Sequence, residues 1–297
     1  MMQFPPRKTL ALPSGITLSY LEWPTGESPK REGKDTAAPL LLLHGMADHA
    51  LVWLSLGNAL QQQYHIVAPD LRGHGESGKP GAGYGFAETI DDLEALMAHL
   101  NWSSAHVLGH SWSAKMAAVW ARQAPSRFQS LMLIDPALIG TFPSWTKILF
   151  PIYYKLLPFL KMLGPFEDKA AAIAQAKQLK QYQGWSPLQQ IIFENGVEAK
   201  ADGRWGSKFV IAAREPMFTD VMQVPGFTQP IDMPSLLVYM TKGINTSRRQ
   251  LAPYKAHLTQ LELCQLDSNH WAFMVDPEVF EQAIARFLEK QQGNNLQ

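Results

Sequence analysis

The feature that most constrains the fold is a regular alternation of short apolar runs with amphipathic segments. Residues 39–43 are almost pure leucine, which is typical of a strand buried on both faces. The segment 89–100 repeats leucine and methionine at the spacing of one helix face. Further strands are predicted at 65–68, 105–108 and 130–134, and a helix is predicted over 112–123. This rhythm predicts an α/β fold with a mainly parallel sheet and right-handed crossovers.

The alternation stops at about residue 138 and returns only after about residue 227. Between these positions proline, aromatic residues and helical stretches are mixed, so we interpret 138–227 as an inserted helical cap. The core then consists of a first part, 1–137, and a second part, 228–297. Its later elements are predicted as strands at 235–239 and 261–266 and a helix over 277–291. One core with one insertion suits a chain of 297 residues.

Composition argues against several classes of function. Lys plus Arg and Asp plus Glu both number 26, so no net field attracts nucleic acid. Cys264 is the only cysteine, which leaves no internal disulfide and no thiolate cluster for a metal. Neither a GxGxxG sequence, a Walker motif nor a metal-ligand spacing is present, so we expect no cofactor. The start of the chain lacks the apolar core of a secretory signal, and we expect a cytoplasmic protein.

The sequence Gly109-His110-Ser111-Trp112-Ser113 lies between a predicted strand and a predicted helix. A tight turn there would expose the serine hydroxyl at the carboxyl edge of the sheet, with a helix N-terminus behind it. Glycine before the bend would prevent crowding, and the small Ser113 stands where such turns usually have a last glycine. Ser111 could instead do no more than cap the helix.

Four motifs in order resemble those of the α/β-hydrolase family. They are LLLHG at 41–45, PDLRGHGES at 69–77, GHSWS at 109–113 and SNH at 268–270. The resemblance covers essentially the whole chain and implies an α/β-hydrolase fold, a mainly parallel eight-stranded sheet flanked by helices with an inserted helical cap. It also implies that Ser111 is a nucleophile and His270 its general base. The backbone N–H groups of Met46 and Trp112 would form the oxyanion hole.

The third member of such a triad departs from the family's commonest pattern. An aspartate usually follows the seventh strand, but here that loop, 239–245, reads YMTKGIN and has no carboxylate. A minority of the family carries the acid after the sixth strand, where this chain has Asp135; an aspartate there could also serve only as a turn former. Asn245 is the weaker alternative, because an amide can orient an imidazole but cannot stabilise its cation. Asp48 and Asp267 are less favoured as the acid.

Aromatic and apolar side chains crowd the first part of the cap, 142–166, with three lysines among them. They could line an ordinary apolar pocket, or they could present a basic, aromatic surface to a lipid interface. Either interpretation favours a small hydrophobic ester as substrate. We expect Phe142, Trp145 and Trp271 to contact it, and peripheral membrane contact through the cap is open.

We expect a serine hydrolase that cleaves an apolar carboxylic ester through an acyl-enzyme. Amide, thioester and carbon–carbon cleavage stay open, since family members with a serine nucleophile include such enzymes. Epoxide hydrolase and haloalkane dehalogenase activities are disfavoured, because those relatives need a carboxylate where Ser111 stands. The competing classes are a weakly active binding protein or receptor on the same fold, which the missing acid favours, and a membrane-attached scaffold. No feature of the sequence indicates an oligomeric state.

Overall fold

A computed structural model describes residues 3–23, 37–150, 152 and 157–294. Its strands are β1 (Arg7–Ala11), β2 (Thr17–Trp23), β3 (Ala38–Leu43), β4 (Tyr64–Pro69), β5 (Ala105–His110), β6 (Phe128–Ile134), β7 (Val197–Ala199), β8 (Trp205–Ser207), β9 (Ile231–Lys242) and β10 (Leu258–Asn269). Eight of them form one sheet in the order β1-β2-β4-β3-β5-β6-β9-β10. β2 is antiparallel to β1 and to β4, and every later pair is parallel. The predicted mainly parallel eight-stranded sheet is confirmed.

Helices cover both faces of this sheet. They are α1 (Leu54–Leu60), α2 (Phe86–His99), α3 (Trp112–Gln123), α4 (Lys169–Ala176), α5 (Pro187–Gly196), α6 (Arg214–Gln223), α7 (Arg248–His257), α8 (Ala272–Val275) and α9 (Pro277–Asn294). The leucines of β3 alternate between two buried clusters, with Leu41 and Leu43 in one and Leu40 and Leu42 in the other. Period-two alternation in a strand covered on both sides produces this arrangement. None of the helices in the described part of the chain is long and apolar enough to span a membrane.

The segment between β6 and β9 occupies the predicted cap region. It contains α4, α5, α6 and several 3₁₀ turns, but also the antiparallel pair β7–β8. The sequence analysis missed this pair, because strands of three residues carry too little alternation to be recognised. Part of the aromatic run of the cap, residues 151 and 153–156, lies outside the described residues.

The cap is tied to the core through α3, the helix that follows the GHSWS sequence. The Trp112 indole Nε1 donates to the Met217 carbonyl of α6 at 3.2 Å. One turn further along, the buried Lys115 Nζ donates to the carbonyls of Gly140 and Val221 at 2.7 and 2.5 Å. Gly140 precedes the cap helices and Val221 lies in α6, so one lysine joins both ends of the insertion to the helix behind Ser111.

Candidate active site

Ser111 occupies a sharp turn between β5 and α3. Its φ and ψ are 56° and −110°, a conformation that few residues other than glycine adopt and that is typical of strained functional turns. A Cβ on Gly109 would lie 2.7 Å from the Ser113 carbonyl oxygen, so the approach of helix to strand requires glycine there. The Ser111 backbone N–H donates to the Ile134 carbonyl at 3.0 Å, which fixes the turn beside the end of β6.

Ser113 takes the position where such turns usually have glycine. Its hydroxyl is buried, accepts from the His110 N–H at 3.0 Å and lies 2.9 Å from the Leu43 carbonyl, to which it donates. A buried hydroxyl with both hydrogen-bonding roles filled carries little desolvation cost. The serine therefore fits between β5 and β3 and links the turn to the loop that follows β3.

Asp135 and His270 come together although they lie far apart in the sequence. Asp135 follows β6 and is fully buried, and its Oδ2 is 2.6 Å from Nδ1 of His270, which follows β10. A hydrogen bond to a carboxylate requires the proton on Nδ1, so Nε2 of a neutral His270 carries the free lone pair. The imidazole is thereby held in the tautomer that can accept a proton from a hydroxyl.

The loop after β9 donates hydrogen bonds to Asp135. It does not replace Asp135 as the partner of the His270 ring. The backbone N–H groups of Ile244 and Asn245 donate to the two carboxylate oxygens at 2.8 and 3.0 Å, and the Asn245 amide adds a third bond at 3.0 Å. Burial alone would raise the pKa of Asp135, but the His270 ring and these donors hold it below its usual value. An aspartate at position 245 would face a second carboxylate there, which explains why this loop contains an amide.

The position of His270 is also set by His110, the residue before Ser111. The His110 Nε2–H donates to the His270 carbonyl at 3.0 Å, and the two rings pack with centroids 4.5 Å apart. Within the described residues the Ser111 hydroxyl and the His270 ring form no hydrogen bond. Such bonds are often long before substrate binds, so this geometry is compatible with proton transfer between them.

The loop after β3 carries the first expected oxyanion donor. His44 is buried and anchors this loop, because its Nδ1–H donates to the Gly45 carbonyl and its Nε2 accepts from the Leu71 N–H at 3.0 Å. Burial lowers its pKa to about 4, so the ring is neutral. Among the described residues, neither the Met46 nor the Trp112 backbone N–H donates to another protein group. Both amides are therefore free to bind an oxygen of a substrate.

The three residues expected to contact a substrate do not lie together. Trp271 lines a small cavity between the core loops and the cap, together with Met46. Phe142 and Trp145 are 47% and 67% exposed, and neither borders this cavity. They were expected to contact the substrate, but both side chains are exposed to the solvent, as in the alternative of an aromatic surface on the cap. Asp267 is exposed on the rim of β10, away from His270.

Several residues of this region were missed in the sequence analysis. A Cβ on Gly243 would lie 2.3 Å from Asp135 Oδ2, so this glycine makes room for the acid. Gln181 and Tyr182 of the cap border the same cavity as Trp271. No motif marks such residues, because their roles depend on contacts between distant parts of the chain.

A comparison with protein families agrees with this architecture. The model of the α/β-hydrolase fold family matches residues 38–157. The soluble epoxide hydrolase of Corynebacterium sp. (strain C12) is 35% identical over 103 residues, which are 34% of this chain and 36% of that enzyme. The chain thus matches about a third of the length of this relative. The sn-1-specific diacylglycerol lipase ABHD11 of Mus musculus is 23% identical over 266 residues, or 86% of this chain and 83% of the lipase.

Among solved structures, E-2-(acetamidomethylene)succinate hydrolase superposes with a TM-score of 0.76 and 22% identity over 97% of this chain and all of that one. At this level of identity the superposition establishes the fold. The sheet order, the strained turn at Ser111 and the match to the family model over residues 38–157 agree in showing an α/β-hydrolase fold.

Proposed function

We propose that the protein is a serine hydrolase that cleaves a carboxylic ester with an apolar acyl or alcohol group. The observation that carries this proposal is the Asp135–His270 hydrogen bond of 2.6 Å beside the strained turn of Ser111. A hydroxyl, an acid and an imidazole, which follow β5, β6 and β10 at one edge of the sheet, are the parts that nucleophilic acyl transfer requires.

Each group has a defined role in the proposed reaction. The Ser111 Oγ attacks the ester carbonyl carbon while His270 Nε2 takes the hydroxyl proton, and Asp135 stabilises the resulting imidazolium. The Met46 and Trp112 N–H groups bind the oxyanion. The tetrahedral intermediate then expels the alcohol, which receives the proton from His270. Water attacks the acyl-enzyme through the same base, and release of the acid restores Ser111.

The proposed substrate class has two supports. The mouse protein that matches 86% of this chain is named a diacylglycerol lipase, so its named reaction is cleavage of a lipid ester. Phe159, Met162 and Phe193 also lie beside Met46 and Trp271, where they form an apolar part of the wall between core and cap. Amide, thioester and carbon–carbon cleavage use the same nucleophile, and a panel of acyl compounds distinguishes them.

Labelling with a fluorophosphonate tests the proposed nucleophile. We expect rapid phosphonylation at Ser111, located by peptide mass mapping, and no labelling of Ser111→Ala. An Asp135→Asn variant should fold normally and lose about ten-thousandfold in kcat, as expected when an imidazole is left without its carboxylate. The matched control is Asp267→Asn, since that carboxylate is exposed and should leave kcat unchanged.

A folded protein that is not labelled would instead support the binding-protein alternative. An Asp135→Asn variant with the rate of the wild type would remove that residue from the mechanism. A membrane-attached scaffold would bind lipid equally well before and after Ser111→Ala, with no hydrolysis in either protein.

Peripheral contact with a membrane is a second part of the proposal. Phe142, Trp145 and Ile148 are 47%, 67% and 78% exposed and lie beside the exposed Lys147. Apolar side chains with a neighbouring cation suit the interface of an anionic bilayer. We call residues 142–148 the cap surface patch. It would deliver a lipidic ester to the site below the cap.

A further inference from the structure

The cavity beside the oxyanion loop is small and unexpectedly polar. Its volume is ≈ 20 Å³, enough for one water molecule. Met46, Ala47 and Trp271 border it from the core, and Gln181 and Tyr182 border it from the cap. Because Met46 carries an expected oxyanion donor and Trp271 follows the proposed base, this space lies next to the proposed site of the substrate carbonyl.

Two buried polar side chains of the cap have no protein partner here. Gln181 and Tyr182 are 7% and 9% exposed, yet neither the Gln181 side-chain amide nor the Tyr182 hydroxyl forms a hydrogen bond with any described residue. Neither side chain has a buried polar atom that lacks a partner, so the polar ends of both are accessible to a water or a ligand group in the cavity that they border.

Asp48 supplies a third polar group from the core side. Its carboxyl is 13% exposed and lies 3.7 Å from His110 Nδ1, a buried atom without a partner. No lysine or arginine of the described chain pairs with it. Since Trp271 borders the same cavity and follows His270, this carboxyl lies near the proposed base.

Each titratable group that borders the cavity is shifted toward its neutral form. Burial raises the pKa of Asp48 to about 7, lowers that of His49 and raises that of Tyr182. A charged ligand group would lose its hydration here without a full opposite charge to replace it. The cavity therefore suits an uncharged group that both donates and accepts hydrogen bonds.

We propose that Asp48, Gln181 and Tyr182 form a subsite for a hydroxyl group on the substrate of the proposed hydrolase. A hydroxyl has the size of the water that the cavity accommodates and can replace its hydrogen bonds. The preferred ester is then apolar along most of its length but carries a hydroxyl at the end that reaches the cap. This inference rests on the proposed function and narrows its substrate class.

Fluorophosphonates with alkyl chains of graded length and three different ends test the subsite. We compare methyl, hydroxyl and ammonium ends by the second-order rate of labelling at Ser111. At the best length the hydroxyl probe should react about tenfold faster than the methyl probe, the factor given by one neutral hydrogen bond. Tyr182→Phe and Gln181→Leu should reduce this ratio toward one. The exposed neighbour Gln183→Leu is the matched control and should keep the ratio.

The outcomes separate the subsite from the function on which it rests. Rapid labelling by all probes with no preference for hydroxyl at any length would overturn the subsite and leave the hydrolase intact. A preference for the ammonium probe that Asp48→Asn abolishes would show a cation site and also overturn it. No labelling by any probe would overturn the hydrolase proposal itself.

Discussion

Asn245 takes the position where related chains usually carry their acid, and it donates to the acid that this chain has after β6. Its Nδ2 bridges Asp135 Oδ1 and the Pro136 carbonyl at 3.0 and 2.8 Å. Asn245→Asp would replace a donor by a like charge, which raises the pKa of Asp135. We expect the acid limb of the kcat/KM profile to move to higher pH, with about a tenfold loss on that limb for each unit by which the pKa of the carboxylate rises, and with recovery as the pH rises.

Asn245→Ala is the comparison that isolates the charge. It removes the same amide bonds without adding a carboxylate, so its loss should be smaller and should not diminish at higher pH. If both variants lost the same activity with the same pH profile, the role of Asn245 would be limited to packing.

Gly243 offers a steric test of the position of the acid. Gly243→Ala would bring a methyl group to 2.3 Å from Asp135 Oδ2, so the carboxylate or the loop has to move away from its place. We expect a loss of about a hundredfold or more in kcat, since small displacements of catalytic groups have effects of this size. Gly81→Ala is the control, because a Cβ there meets nothing within 4 Å. Equal kcat in both variants would contradict the proposed acid.

At the scale of elements, helix α3 is where the cap meets the turn of Ser111. Lys115 is buried in it, and desolvation lowers its pKa from 10.5 to about 7, although Asp220 nearby opposes the shift. Between these two pKa values the unfolded chain binds a proton that the folded chain lacks. Lys115 should therefore make the free energy of unfolding increase as the pH rises from about 7 toward 10.5. This increase is lost again as the pH falls to about 7.

Urea unfolding of the wild type and of Lys115→Met at several pH values across this range measures the effect. The free energy of unfolding of the wild type should rise with pH relative to that of Lys115→Met, because methionine does not titrate. Lys242→Met, at a lysine that is 70% exposed, should show no such pH dependence relative to the wild type. A constant difference for Lys115→Met would mean that the buried lysine stays charged.

The elements also show what the sequence could and could not predict. The central strands β3 to β6 were recognisable because each is an apolar run, such as Leu40–Leu43, that is buried on both faces. Asp135 and His270 were found through local motifs at strand ends. The hydrogen bonds of Asn245 and the polar cavity were not, since each depends on tertiary contacts between loops or on the cap. The surface position of Phe142 and Trp145 was missed for the same reason, because composition does not tell which side of a cap faces the core.

The whole molecule has as many positive as negative residues, so its net charge does not attract it to an anionic bilayer. The cap surface patch is therefore the feature that would direct it there. Trp145→Ser combined with Ile148→Ser removes two side chains that are 67% and 78% exposed, so folding should be little affected. We expect binding to vesicles containing anionic lipid, measured by co-sedimentation, to fall about tenfold or more, since each apolar side chain contributes about 1.5–3 kcal/mol when buried. Ile211→Ser, at an isoleucine that is 53% exposed outside the patch, is the matched control. Turnover of a water-soluble ester should stay the same in all three proteins, because the patch does not border the cavity beside Trp271. Equal sedimentation of the double variant and the wild type would show that the patch does not contact lipid.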